Sequence, residues 1–134
     1  MTATRLSDRI IAYAPALTLM TIIFVMSSRS SIPRSPAISA ELTAFLGHLF
    51  VYALLAVLLA RAFEIDIEQA RRRAVLAFAL ATLYGISDEI HQRFVPGRYA
   101  TLFDVLTDSA GAALGVTAYC AYVQIRRDRG AFLR

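Results

Sequence analysis

The sequence contains no lysine and only one cysteine. All 14 basic residues are therefore arginines, and the formal net charge is +4. Cys120 has no second cysteine to pair with, which excludes an internal disulfide. Because it lies in an apolar run, a structural thiol is the simplest interpretation. The arginines lie at the ends of apolar runs rather than along one stripe, and no base-reading motif occurs, so no nucleic-acid partner is expected.

Apolar residues, by contrast, are abundant. Hydrophobic residues make up 57% of the 134 positions and the mean hydropathy is +0.56, whereas a soluble domain is about 45–50% apolar. Four apolar segments stand out, at about 10–26, 42–60, 74–92 and 103–125. A helix needs roughly 17–25 residues to cross about 30 Å of hydrocarbon. The first, second and fourth segments reach that length, and the third reaches it only with its polar end.

Two other interpretations of these segments are less favourable. A soluble four-helix bundle needs a polar face on each helix, yet positions 49–60 and 74–81 carry no charge on any face. A signal peptide has an apolar region of about 7–15 residues, shorter than the run at 10–26, and no A-x-A-like cleavage site follows that run. We therefore predict an all-α integral membrane bundle with four transmembrane helices in one domain, 1–134.

The arginines predict the orientation of this bundle. With four crossings, the N-terminus, the segment 61–73 and the C-terminus share one side, which carries ten arginines, while the other side carries four. The positive-inside rule then puts both termini in the cytoplasm. The polar stretch SDEIHQRFVPGR (87–98) is expected to face outward.

Polar residues of all four segments fall at similar depth. Counted at 1.5 Å per residue from the arginines of the inner surface, Ser27, His48, Asp88 and Asp108 lie roughly 20–27 Å outward. Ionisable groups at such depth are costly and usually face the bundle interior or a water-filled cavity. We therefore expect a shared polar pocket near the outer surface.

The third segment carries several of these polar groups. Asp88, His91 and Gln92 have the spacing i, i+3, i+4 and share one helix face. Glu89 falls on a different face from His91, where water or an arginine can meet it. Arg98 follows a Pro-Gly turn and is suited to bidentate binding of phosphate or carboxylate.

The fourth segment places four residues on one stripe, with spacings of 4, 3 and 4: Asp104, Asp108, Gly111 and Gly115. The glycines form a GxxxG pattern, which lets another helix approach closely. The stripe that packs inward therefore also carries two aspartates. A homo-oligomer is another arrangement that the glycines allow.

The polar groups fall into two candidate sets. The candidate acid–base groups of a catalytic site are Asp88, Glu89, His91 and Asp104. The candidate ligand-binding groups are Ser27, His48, Gln92, Arg98 and Asp108. No cofactor is expected, and no metal either, because no HExxH-like spacing occurs.

Several motifs resemble the VanZ-like family of small bacterial membrane proteins. SDEIHQRFVPGR (87–98), then Asp104, then GAALG (111–115) follow the family's order of Ser-Asp-Glu-x-x-Gln, Pro-Gly-Arg, an aspartate and a glycine pair. HLFVY (48–52) is similar to the family's second-helix histidine and tyrosine, and MSSRSSIP (26–33) to its serine-rich end of the first helix.

This resemblance implies an integral protein of the bacterial cytoplasmic membrane, and the founding member of the family is linked to resistance to the glycopeptide teicoplanin. Two positions depart from the pattern. Phe45 stands where members often have lysine, and Asp108 where they often have asparagine. The departure at Phe45 leaves the second segment without the positive charge that members often have there. The departure at Asp108 adds a carboxylate, which we expect either to be held by Arg98 or to raise a neighbour's pKa.

Three hypotheses for function follow. In the favoured one, the outward pocket binds an anionic envelope ligand, such as a lipid head group or a glycopeptide-related molecule. In the second, the chain is a membrane-embedded hydrolase or transferase acting on a lipid-linked substrate. In the third, it is a structural or oligomeric module whose partners are membrane lipids and copies of itself.

Overall fold

The computed structural model describes residues 6–30, 39–63 and 70–132. These residues form four helices, α1 (Leu6–Ser27), α2 (Ala40–Ala62), α3 (Ala70–Gln92) and α4 (Leu102–Phe132), and no strand. The prediction of an all-α fold is therefore confirmed for this part of the chain.

The largest difference from the predicted boundaries is at the end of α4, which continues to Phe132, seven residues past position 125. Pairs spaced i, i+4 support this extension: Gln124 Nε2 donates to Asp128 Oδ1 at 3.2 Å, and Arg126 Nε donates to the Tyr122 hydroxyl at 3.0 Å. The helix therefore continues beyond the apolar part of its sequence.

The interior of the bundle consists mainly of small side chains, and large ones lie outside. Most of its buried apolar residues are alanines: Ala16, Ala56, Ala60, Ala62, Ala77, Ala81 and Ala112. Each helix exposes bulky apolar side chains, including Ile11 (67% exposed), Phe50 (69%), Leu83 (59%) and Leu114 (59%). Small residues inside and large apolar residues outside are typical of helices that pack in lipid.

Two of the described helical segments, Ile10–Ser27 and Ala40–Ala62, are long and apolar enough to cross a membrane. Only 17% and 22% of these segments are buried within the bundle, so they do not resemble the core helices of a soluble protein. The fourth segment was predicted to be long enough as well, but α4 does not reach the same hydropathy, because polar and weakly apolar residues are spread along it. α3 begins with three arginines and ends in acids, and it also falls short.

The closest approach between helices joins α2 and α4. A Cβ atom at Gly111 would overlap the backbone oxygen of Leu49, and one at Gly115 would overlap that of Ala53. The backbones of the two helices therefore touch along the GxxxG stripe, which brings α4 against α2 within one chain.

A tight turn joins α3 to α4 at one end of the bundle. Arg98 N donates to Val95 O at 3.1 Å, which closes a turn around Pro96 and Gly97, and Gly97 has φ +79°. A positive φ at the third position is the glycine site of a type II turn. After this turn Thr101 caps α4, since its Oγ1 accepts from Asp104 N at 3.1 Å.

Candidate functional site

A network of buried polar side chains occupies the end of the bundle formed by the C-termini of α1 and α3 and the N-terminal parts of α2 and α4. Ser27 of α1 donates to Asp88 Oδ1 of α3 at 2.6 Å. Gln92, one turn later, donates to Asp88 Oδ2 at 3.0 Å. All three residues are at most 5% exposed. The structure thus joins the residues predicted from the first and third segments.

Glu89 connects α3 to the start of α4. Its Oε1 accepts from Gln92 Nε2 at 3.2 Å, and its Oε2 accepts from the backbone N–H of Thr101 at 3.1 Å. The interpretation of Glu89 as a residue that meets water or an arginine is wrong: it is 4% exposed. Gln92 reaches both carboxylates because it lies three and four residues after them on the same helix.

His48 and Asp108 form the central contact between α2 and α4. His48 Nδ1 lies 2.8 Å from Asp108 Oδ1. Asp108 is fully buried, whereas the His48 side chain is 21% exposed. Among the residues that the structure describes, none hydrogen-bonds to His48 Nε2, so the histidine presents one ring nitrogen toward the outside of the network.

Tyr52 lies behind this pair. Its ring stacks on His48, with centroids 6.4 Å apart. Its hydroxyl is buried without a hydrogen-bond partner in the described segments, and so is Asp108 Oδ2. A Cβ at Gly85 would be 2.8 Å from Asp108 Oδ2 and 3.2 Å from the Tyr52 ring, so only glycine leaves room for both side chains.

The network is rich in carboxylates and poor in compensating cations. Its four acids come from two helices: Asp88, Glu89, Asp104 and Asp108. Within residues 6–30, 39–63 and 70–132, the one ion pair is His48–Asp108. Burying like charges together is unfavourable unless protons or cations neutralise them. The site therefore calls for additional positive charge.

Asp104 lies at the edge of the network, half-buried. Its Oδ2 accepts from Thr101 Oγ1 at 2.6 Å. A carboxylate in the first helical turn is also stabilised by the dipole of α4. Asp104 is close enough to His48 and Glu89 for electrostatic interaction, but it makes no hydrogen bond to either among the described contacts.

His91 lies apart from the network. Its Nε2 is 2.9 Å from Ser28 Oγ, and its ring packs against Phe24 at 4.7 Å between centroids. Ser28 Oγ also lies 2.7 Å from Phe24 O, which competes with His91 for its one hydroxyl proton. The direction of the Ser28–His91 contact depends on the histidine tautomer, so it does not by itself define a serine activated by a histidine base.

Arg98 is engaged with α1. Its Nε donates to Arg29 O at 2.9 Å and its Nη2 to Met26 O at 2.8 Å. These bonds satisfy carbonyls at the C-terminus of α1, where a cation is also favoured by the helix dipole. The expectation that Arg98 holds Asp108 is wrong, because Arg98 bonds to these carbonyls and the side chain that contacts Asp108 is His48.

Two residues that build the site, Gly85 and Thr101, were not noted in the sequence, and Tyr52 was noted beside His48 but not placed among the site residues. Thr101 and Asp104 have the spacing of a helix cap and an acid at the third helical position. This spacing is a sequence signal that could have predicted where α4 begins. Tyr52 follows His48 by four residues and so shares its face. Nothing local marks Gly85, because its role depends on Asp108 of another helix.

These features define a class, a helical membrane protein with a buried acid–histidine cluster at one end of its bundle. The family model of VanZ/LLP1 matches residues 3–124 of the 134-residue chain. The chain therefore belongs to the VanZ/LLP1 family and is a VanZ-like membrane protein. None of the curated proteins and none of the solved structures matches it.

Proposed function

We propose that all four helices cross the bacterial cytoplasmic membrane, with both termini in the cytoplasm and the polar network toward the extracytoplasmic side. The family and the two apolar helices support a membrane location. α3 and α4 contain 23 and 31 residues, which is about 34 and 46 Å of helix and enough for a crossing of about 30 Å.

Charge supports the proposed orientation. The segments at the network's end of the bundle carry four arginines and five acids, whereas those at the opposite end carry ten arginines and five acids. Positive charge is retained on the cytoplasmic side. A green fluorescent protein fused after Arg134 should fluoresce, and alkaline phosphatase fused there should be inactive. The opposite pair of results would overturn the orientation.

We propose further that this end of the protein binds an anionic envelope ligand, a lipid head group or a glycopeptide-related molecule. One observation carries the proposal: polar side chains from all four helices meet at one end of a bundle that exposes many bulky apolar side chains. Such groups are costly in a membrane and usually mark a functional site.

The rim of the network offers the positive charge that an anion requires. Arg29 and Arg93 are exposed there, and Arg98 is half-buried. Arg98 keeps its charge while it caps α1. We infer that the three arginines attract the anion and that His48, the most exposed member of the inner pair, meets its polar group. In this proposal ligand capture contributes to resistance against glycopeptide antibiotics.

The binding proposal can be tested by native mass spectrometry of detergent-purified protein with phosphatidylglycerol or phosphatidylcholine. The wild-type chain should retain one phosphatidylglycerol after delipidation that removes phosphatidylcholine. The double variant Arg29→Gln/Arg93→Gln should lose that lipid. The matched control Arg126→Gln/Arg127→Gln, at the other end of α4, should keep it. Equal retention by both double variants would contradict the proposal.

A second candidate function, that of a membrane-embedded hydrolase or transferase, rests on the His48–Asp108 pair. Asp108 fixes the His48 ring through Nδ1, and Nε2 is left to accept a proton from a substrate or water. This assigns the role of base to His48 rather than His91. Turnover of a lipid-linked phosphate substrate that disappears in His48→Gln but survives in His91→Gln would favour it over simple binding.

A further inference from the structure

We propose that His48, Glu89 and Asp108 form a binding site for a divalent transition-metal cation of the Zn²⁺ or Mn²⁺ class. One ring nitrogen of His48 and one carboxylate oxygen from each acid lie within 4.8 Å of one another. They come from three helices, α2, α3 and α4. The fold therefore assembles three potential ligands that no short sequence spacing reveals.

The distances suit a cation after small side-chain movements. Metal–nitrogen and metal–oxygen bonds of about 2.0–2.2 Å place neighbouring ligand atoms roughly 3–3.5 Å apart. His48 Nδ1 and Asp108 Oδ1 are 2.8 Å apart, joined by a hydrogen bond, so the cation would displace the proton between them to solvent and move the two atoms slightly apart. The Glu89 oxygen, which lies within 4.8 Å of the other two ligand atoms, would move inward by about 1.3–1.8 Å, a displacement that rotation of its side chain can supply.

Two buried polar atoms give independent support for a ligand at this place. Asp108 Oδ2 and the Tyr52 hydroxyl are buried and have no hydrogen-bond partner within the described residues. Asp108 is 0% exposed and Tyr52 1%. A buried carboxylate oxygen left without a partner is unfavourable. A cation on Asp108, with a bound water that Tyr52 can contact, would satisfy both atoms.

The excess of carboxylates at the site also favours a bound cation. Asp88 and Asp104 surround the three ligands, so the cluster holds four carboxylates against one histidine. Arg29, Arg93 and Arg98 form no ion pair with any described carboxylate. A divalent cation would offset two of these charges, which a single protonated histidine cannot do.

The composition of the site limits the kind of ion. Carboxylate oxygens alone would suit Mg²⁺ or Ca²⁺, whereas an imidazole ligand favours transition metals. Three protein ligands leave at least one coordination position open. Since His48 is the exposed member, that position would face the outside of the network. This inference rests on the proposed function: the ion would supply the positive charge that holds an anionic head group.

The test uses the full-length chain, purified in detergent, treated with EDTA and titrated with Zn²⁺ by calorimetry. We expect about one bound ion per chain. The variants His48→Gln, Glu89→Gln and Asp108→Asn should weaken binding at least tenfold. The controls His91→Gln and Asp128→Asn, which change the same residue types outside the cluster, should bind like the wild type. Equal loss in variants and controls, or no stoichiometric binding by the wild type, would overturn the site.

A spectroscopic measurement on the wild-type chain tests the same site without depending on whether the variants fold. Co²⁺ added to the EDTA-treated protein should give visible absorption bands distinct from those of aqueous Co²⁺, and equimolar Zn²⁺ should remove them. A spectrum of free aqueous Co²⁺ would overturn the inference, because protons would then neutralise the acids.

Lipid retention separates this inference from the proposed function. If EDTA-treated protein retains phosphatidylglycerol and binds no Zn²⁺ or Co²⁺, the metal site is wrong and the lipid proposal stands. If the metal binds stoichiometrically and no lipid is retained with or without it, the metal site stands and the lipid proposal fails.

Discussion

The two ends of the bundle are held together in different ways. At the polar end, buried side chains cross between helices, from Ser27 to Asp88 and from His48 to Asp108. At the opposite end, the interior is built of small apolar residues such as Ala60 and Ala77, and arginines such as Arg61 and Arg126 are exposed. One end depends on buried hydrogen bonds and one ion pair, and the other on close packing.

The difference shows which end is built for stability and which for another purpose. Small side chains let helices approach and gain dispersion contacts without any desolvation of charge. Buried carboxylates do the opposite, since each must be desolvated and then neutralised. A bundle that needed only to fold could use alanine throughout. The polar end is therefore where we expect function, and the alanine–glycine seam is where we expect the fold to break.

The sharpest test of that division is Gly115→Leu. The new side chain would collide with the backbone of Ala53, which cannot rotate away. We expect a loss of about 3 kcal/mol, and hence loss of folded protein. Thermal unfolding in detergent, followed by circular dichroism, measures it.

Gly47→Ala is the matched control, because a Cβ at Gly47 meets nothing within 4 Å. It should unfold at the same temperature as the wild type or slightly higher, as alanine is the better helix former. If Gly115→Leu were as stable as Gly47→Ala, the close seam between α2 and α4 would be disproved.

The contrast between the two ends also explains what the sequence could predict. Helix number, the depth of Ser27, His48, Asp88 and Asp108, and the face of the glycines follow from spacing along single helices. The apolar runs contain this information directly. The predicted end of α4 was too early, because the hydropathy falls after Ile125 whereas the i, i+4 hydrogen bonds between side chains show that the helix continues.

Pairing between helices could not be predicted in the same way. His48 and Asp108 are 60 residues apart, and only the α2–α4 contact at the glycines brings them together. Arg98 was assigned to an anion because it follows a Pro-Gly turn, but the carbonyls that it contacts, Met26 O and Arg29 O, lie 72 and 69 residues back along the chain. Spacing within one helix carries no information about such partners.

At the polar end, His48→Leu should have the next largest effect. It leaves Asp108 buried without its ion-pair partner. Breaking a fully buried pair costs about 3–5 kcal/mol. Because His48 is partly exposed, we expect about 2 kcal/mol here.

The double variant His48→Leu/Asp108→Asn identifies the cause, because it removes the unpaired charge. In a double-mutant cycle, its unfolding temperature should lie well above that of His48→Leu and regain most of the decrease relative to the wild type. If the double variant lost as much stability as the two single variants together, the two residues would act separately.

Arg98→Ala tests the connection between the polar end and α1. Two hydrogen bonds from a charged group to Met26 O and Arg29 O are lost. We expect about 1.5 kcal/mol, since hydrogen bonds to charged groups contribute more than neutral ones but this guanidinium is partly exposed. The exposed neighbour makes a suitable control: Arg93→Ala should change the unfolding free energy by less than about 0.5 kcal/mol. Similar losses in the two variants would contradict a capping role for Arg98.

The smallest effect concerns the start of α4. Thr101→Val keeps the shape of the side chain but removes the hydroxyl that accepts from Asp104 N. The backbone N–H of Thr101 still donates to Glu89, so the variant removes the cap and spares the connection to α3. We expect a loss of about 1 kcal/mol, the usual value for a helix cap. Hydrogen exchange should localise it: the first-turn amides of α4 should exchange faster, and amides beyond Gly111 should not change. Faster exchange along the whole helix would mean that Thr101 holds α4 in the bundle rather than only starting it.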